Sequence, residues 1–132
     1  MNPEAVKAVL TDLHRRRIPG DLKRAVELLL DKKGLDLVLL KLKGEGEMAD
    51  YLLLASGESA RQNRAMADSL IKQLSKERQL SPYGYEGAAK GDWILIDYVE
   101  FVVHLFLPEV RKRYALEKLW MDARRHDFSP RD

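Results

Sequence analysis

Apolar residues along this chain switch repeatedly between helical and strand spacing. Val6, Val9, Leu10 and Leu13 follow the helix-start pair Asn2-Pro3 and stop at Ile18-Pro19-Gly20, which predicts a short N-terminal helix. Leu22, Ala25, Val26, Leu29 and Leu30 form a second helical stripe, with Asp21 as its expected N-cap and Gly34 as the residue that ends it. Residues 35–42 are too few and too rich in Leu and Val for an exposed helix and are read as a strand. Gly44 and Gly46 then supply a turn into a second strand over 51–55, so the two are expected to pair as a hairpin. At Ser59 the period becomes helical again. Ser59 and Gln62 have capping-box spacing, and Ala60, Ala67, Leu70, Ile71 and Leu74 mark a buried side that runs to about Arg78.

Ser81-Pro82 leads into a short stretch over 83–86, Gly87 and Gly91 punctuate, and strands follow over 93–97 and 101–107. Pro108 suits the first turn of a terminal helix in which Leu116, Leu119, Trp120 and Ala123 share one face, and the polar residues 124–132 read as a frayed tail. This order predicts an α/β (α+β) protein, a mixed sheet of about five strands flanked by helices. The expected organisation is an N-terminal helical extension over 1–20, one domain over 21–123 and the polar tail over 124–132.

The last two strands carry the strongest functional signal. If they close through a two-residue loop at Tyr98-Val99, Ile96 faces Phe101, Leu95 faces Val102 and Trp93 faces His104. One face then holds Ile94, Ile96, Phe101, Val103 and Leu105, all apolar, and is read as core. The other holds Trp93, Leu95, Asp97, Val102, His104 and Phe106, the large aromatics with a few polar groups that interfaces favour. A helix covering this second face would instead make His104 a satisfied core histidine and Trp93 packing, and periodicity does not choose between the two readings. Val99 is β-branched where a primed turn wants positive φ, and a longer loop would shift the register by one and exchange the faces.

Composition narrows the function classes. The 23 Lys and Arg nearly balance the 21 Asp and Glu, so nucleic acid is not the first partner suggested, although Lys7 and Arg15, Arg16 and Arg17 on the basic N-terminal helix offer direct RNA contact as a minor contribution. Cations in a helix's last turn are also what the macrodipole favours. The absence of cysteine removes disulfides, thiolate metal sites and cysteine nucleophiles. No apolar run approaches the roughly 20 residues a membrane span needs, and no leader is read, so a cytoplasmic protein without a membrane role is expected.

Catalysis lacks its parts. Ser59, Asp97 and His104 occur in the chain order of a hydrolase triad, but Ser59 lacks the second glycine of a nucleophile elbow and is better explained as a cap. Gly57-Glu58-Ser59 occupies the place where a nucleotidyltransferase site begins, yet no paired carboxylates follow; Asp92 and Asp97 lie five apart, on opposite faces of a strand. His14, His104 and His126 have no metal-ligand spacing, and there is no Gly-rich phosphate loop, so neither metal nor cofactor is expected.

Several segments in order are similar to one family. They are Ala49-Asp50-Tyr51, Gly57 with Ser59-Ala60-Arg61-Gln62, Glu86-Gly87, Trp93 to Tyr98, Val102 to Pro108, and Leu116-Glu117-Lys118-Leu119-Trp120. Over about 21–123 the chain resembles the ribosomal silencing factor (RsfS, or Iojap) family. The resemblance implies a nucleotidyltransferase-like fold without the catalytic carboxylates, and hence a binding protein and not an enzyme. It implies that the chain binds protein fourteen of the large ribosomal subunit, on the face that meets the small subunit, and so represses translation when nutrients are short. The implied contact residues are Trp93, Asp97, Tyr98, His104, Phe106, Glu109 and Glu117, the acidic ones pairing with lysines of a basic ribosomal protein. The resemblance also allows a homodimer. Lys41 stands where the family commonly has an acidic residue and Val99 where it commonly has glycine. The alternative from another class is a nucleotide-binding or nucleotidyl-transferring enzyme of the same fold.

Overall fold

The computed structural model describes residues 3–42, 49–114 and 124–128. Its elements in chain order are α1 (Pro3–Arg15), α2 (Gly20–Asp31), β1 (Leu35–Lys41), β2 (Tyr51–Ser56), α3 (Ala60–Arg78), β3 (Gly84–Glu86), β4 (Trp93–Asp97), β5 (Phe101–Phe106), α4 (Pro108–Tyr114) and β6 (Arg124–Asp127). The strands form one sheet in the order β3-β4-β5-β2-β1-β6, with β2 and β5 parallel and the other neighbours antiparallel. It is the mixed sheet expected of an α+β chain, with one strand more.

Because side chains alternate across each strand, the sheet has two faces of different composition. Leu37, Leu39, Leu53, Ala55, Ile94, Ile96, Val103 and Leu105 point to the side covered by α1, α2 and α3, where Leu13, Leu22, Leu29, Met66 and Leu70 meet them in one buried cluster. Val38, Leu40, Leu52, Leu54 and Phe106 point to the other side and pack with Val110 of α4.

Local chemistry sets the ends of these elements. Ser59 Oγ accepts a hydrogen bond from the Gln62 N–H at 3.1 Å, as the spacing predicts, while Gln62 Oε1 accepts from the Glu58 N–H and its amide nitrogen donates to the Lys32 and Lys33 carbonyls. One side chain thus joins the start of α3 to the end of α2. Asp21 does not cap α2. The N-cap is Pro19, whose side chain has no acceptor, and Asp21 sits in the first turn, where its charge suits the helix dipole. Gly34 is not the left-handed residue either: Lys33 adopts φ 63, and the Gly34 N–H closes the helix on the Leu29 carbonyl. Glycine is needed at 34 for room, since a Cβ would stand 3.2 Å from both Leu37 and Met66.

The expected tail is also corrected. Residues 124–127 form β6, paired antiparallel with β1, and Phe128 behind them is buried beside the Leu13 cluster, with the Arg16 guanidinium 5.9 Å from its ring centroid. Leu13 is likewise fully buried, so α1 is packed into the fold. The turn at Gly44 and Gly46 and the terminal-helix positions 116–123 lie outside the described residues.

Candidate partner-binding surface

The β4–β5 hairpin closes one residue later than its sequence suggests. Tyr98 N–H donates to the Phe101 carbonyl and Glu100 N–H to the Tyr98 carbonyl, each at 2.9 Å, leaving Val99 and Glu100 as the loop. This is a γ-turn with Val99 at its centre, at φ 72, a conformation that β-branched residues resist. Asp97 supports it, its Oδ1 accepting from the Val99 N–H at 2.7 Å. The pairing becomes Ile96 with Val103, Leu95 with His104 and Trp93 with Phe106, in place of Ile96 with Phe101. The shift is two residues, so every side chain keeps its face.

On the face away from α1–α3, Trp93, Leu95, Asp97 and Val102 are half-buried while His104 and Phe106 lie beneath them. Trp93 is held from two sides. Its indole N–H donates to His104 Nδ1 at 3.1 Å, and its ring centroid lies 5.2 Å from that of Phe106. His104 and Phe106 stack at 5.8 Å with 7° between their planes. A nitrogen that accepts this bond cannot carry a proton, so His104 is neutral with its proton on Nε2. Burial agrees, pushing its pKa down to about 4. The polar pair therefore serves to fix the indole, and the ring cluster presents a preset aromatic edge rather than a flexible one.

The other expected contact residues are dispersed. Tyr98 points to the helix-covered side, stacks on Phe101 at 5.1 Å and is buried; its hydroxyl has no partner among the described residues, and desolvation raises its pKa to about 12. Glu109 is exposed in the first turn of α4. Glu117 lies outside the described residues.

Two residues not singled out as contacts flank Asp97. Tyr83 is 83% exposed and its N–H donates to the Asp97 carbonyl at 2.7 Å; Val99, 57% exposed, is tied to the Asp97 side chain. Apolar side chains at such exposure on loops held by hydrogen bonds are a signal that burial, not periodicity, reveals. Arg111 was equally hidden in the run Arg111-Lys112-Arg113. It is buried, and one guanidinium nitrogen donates to the Asp36 carbonyl at 2.7 Å and to Ser56 Oγ at 3.0 Å, pinning α4 to β1 and β2.

Where a nucleotidyltransferase site would begin, the space is filled. A Cβ on Gly57 would overlap the Asn63 amide oxygen, and Asn63 is itself buried and donates to the Gly91 carbonyl at 2.9 Å. Asp97 is engaged in the turn, and Asp92 pairs with Lys90 at 3.4 Å.

Comparison with known proteins yields a consistent set. The family model described as "Ribosomal silencing factor during starvation" matches residues 15–132. A relative named "Ribosomal silencing factor RsfS" from Zymomonas mobilis is 38% identical over 103 residues, covering 75% of this chain and 74% of that protein. A mouse protein named "Mitochondrial assembly of ribosomal large subunit protein 1" is 36% identical over 102 residues, covering 76% of this chain and 45% of that protein. A crystal structure of a Chromobacterium violaceum protein superposes with a TM-score of 0.74 at 37% identity, over 80% of this chain and 88% of that one.

Proposed function

The chain belongs to the ribosomal silencing factor family, and we propose that it represses translation in the cytoplasm by binding protein fourteen of the large ribosomal subunit, where its bulk blocks joining of the small subunit. The observation that carries this reading is the half-buried Trp93 held by His104 and Phe106, with Leu95, Val102 and Asp97 further along the same face and exposed Val99 at the turn that ends it. A fixed aromatic among orienting polar groups is the composition of an interface centre. The name of the mouse relative, which speaks of large-subunit assembly, points to the same subunit. Occlusion requires no chemistry: an interface of roughly 1,000 Å² in the right place suffices. Asp97 and Glu109 lie at or beside this face and supply charge for register against a basic partner, and Glu117 is assigned the same role.

Sedimentation of purified subunits tests the proposal. Added protein should lower the fraction of joined particles and migrate with the large subunit. Normal joining, accompanied by tight nucleoside triphosphate binding, would favour the enzyme instead. A homodimer formed through the same face would compete with the ribosome, so subunit occupancy should then fall as protein self-association rises.

A further inference from the structure

The edge strand β3 adds an acid to the Trp93 face. Gly84 pairs with Asp97, Tyr85 with Ile96 and Glu86 with Leu95. Directly paired residues of an antiparallel ladder share a face, so Glu86 stands on the side of Trp93, Leu95 and Asp97, while Tyr85 stands with Ile96 on the helix-covered side. Tyr85 agrees: partial burial raises its phenol pKa, and the Asp68 carboxylate on α3 adds to the rise, which places its side chain toward the helices. Glu86, one residue on, is exposed.

The backbone fixes where Glu86 stands. A direct cross-strand neighbour is about 5 Å away and a diagonal one about 7–8 Å, so Leu95 is beside Glu86, with Trp93 and Asp97 on the two diagonals. Gly87 has φ 87, and a Cβ there would overlap the Trp93 carbonyl oxygen; only glycine lets the chain press on β4 at this point, and it holds the residue before it against the same strand. At the other end of β3, Gly84 sits beside Asp97 without a side chain, where a Cβ would stand 3.6 Å from that of Asp97. The Asp97 carboxylate is thus not covered from the edge strand. Its Oδ1 accepts from the Val99 N–H, which orients the group and leaves the second oxygen as an acceptor.

Two carboxylates on either side of one leucine repel each other in the free protein, and both attract a cation placed between them. An apolar floor of Leu95 next to the Trp93 ring suits the methylene stem of a long basic side chain. We infer that Glu86 is a specificity-determining residue of this surface: with Asp97 it takes the charged head of one lysine or arginine of the docked ribosomal protein, whose stem lies on Leu95 and Trp93. The same pair repels phosphate, so this part of the face selects protein over RNA. The inference rests on the ribosome-binding reading above.

The test measures binding of the full chain to purified large subunits and to isolated protein fourteen, for the unchanged chain and for Glu86→Gln, Glu86→Lys, Asp97→Asn and Asp68→Asn. Asp97→Asn keeps an oxygen for the Val99 N–H, so the turn is retained. Glu86→Gln and Asp97→Asn should each weaken binding about 10-fold, the loss of one charge-assisted hydrogen bond, and Glu86→Lys about 100-fold, because like charges then meet. The melting temperature of both Glu86 variants should stay unchanged, since the residue is exposed. Asp68→Asn removes the same charge from the helix-covered side and should bind as the unchanged chain does. Lysines and arginines of protein fourteen are then changed to glutamate one at a time; one of these changes should weaken the unchanged chain and recover at least about 10-fold of the affinity that Glu86→Lys lost. Full binding by Glu86→Gln overturns the inference and leaves the functional reading standing. So does an equal loss in Asp68→Asn, which would make the effect one of overall charge, or the failure of every charge reversal to rescue Glu86→Lys. If the unchanged chain binds neither target, the functional reading falls and takes this inference with it.

Discussion

The two faces of the sheet are built from the same strands and serve different ends. On the helix-covered face, Ile94, Ile96, Val103 and Leu105 are fully buried and purely apolar, and three helices close over them. On the opposite face the same two strands carry Trp93, Asp97 and His104, and the residues grade from buried Phe106 to half-buried Trp93 to exposed Val99. Both faces bury apolar surface, but only the second also fixes polar atoms to hold one aromatic ring in place. A core needs volume and tolerates any orientation that fills it, whereas a docking surface must hold its shape before the partner arrives.

The comparison breaks most visibly through paired truncations. Ile96→Ala removes a fully buried side chain and should cost about 2–5 kcal/mol of stability in chemical denaturation, while the molecules that stay folded bind the large subunit normally. Trp93→Ala should reverse the pattern, with a smaller stability loss because the indole is half-buried and a loss of about 2 kcal/mol or more in binding. If Ile96→Ala folded well but bound poorly, while Trp93→Ala unfolded, the two faces would have exchanged roles.

Acid sharpens the difference. His104 has its pKa lowered to about 4 by burial, against 6.5 when unfolded. The unfolded chain then binds a proton that the folded chain refuses. This His104 contribution to stability is complete above pH 6.5, declines as pH falls from 6.5 to 4, and has lost about 3 kcal/mol below that. His104→Gln should remove that slope from a pH series of melting curves, while the Ile96→Ala series should keep it. An unchanged slope in His104→Gln would mean that His104 does not titrate as a buried group.

How much of this was legible in the sequence depends on whether a feature rests on side-chain period or on backbone geometry. The face assignments were legible because alternation survives a two-residue register change, and Ile96 and Trp93 were placed correctly despite the wrong turn. Ser59 was legible as a cap because its oxygen has one obvious donor in reach. Strand β6 was not, since Arg124 to Asp127 have no apolar alternation and join through backbone bonds to β1. Tyr98 was misplaced into the turn because a γ-turn at a valine contradicts residue preference. Arg111 and Lys112 are indistinguishable as letters, although one is buried against Ser56 and the other is exposed.

The smallest expected effect falls on the rim between the two faces. Val99 holds φ 72, a left-handed conformation that costs a non-glycine residue about 1–2 kcal/mol, and the turn is stabilised by Asp97 rather than by the residue itself. Val99→Gly relieves that strain but admits more freedom to the unfolded chain, which takes back about 0.5–1 kcal/mol. The net gain in stability should therefore be at most about 1.5 kcal/mol, seen as a slightly higher denaturation midpoint with unchanged slope. Binding gives the discriminating result. If the valine is kept at strained φ for its exposed side chain, the glycine variant should be more stable yet bind the large subunit less tightly, by a few-fold. Equal binding with higher stability would make Val99 a bystander and confine the docking surface to Trp93, Leu95, Asp97 and Val102.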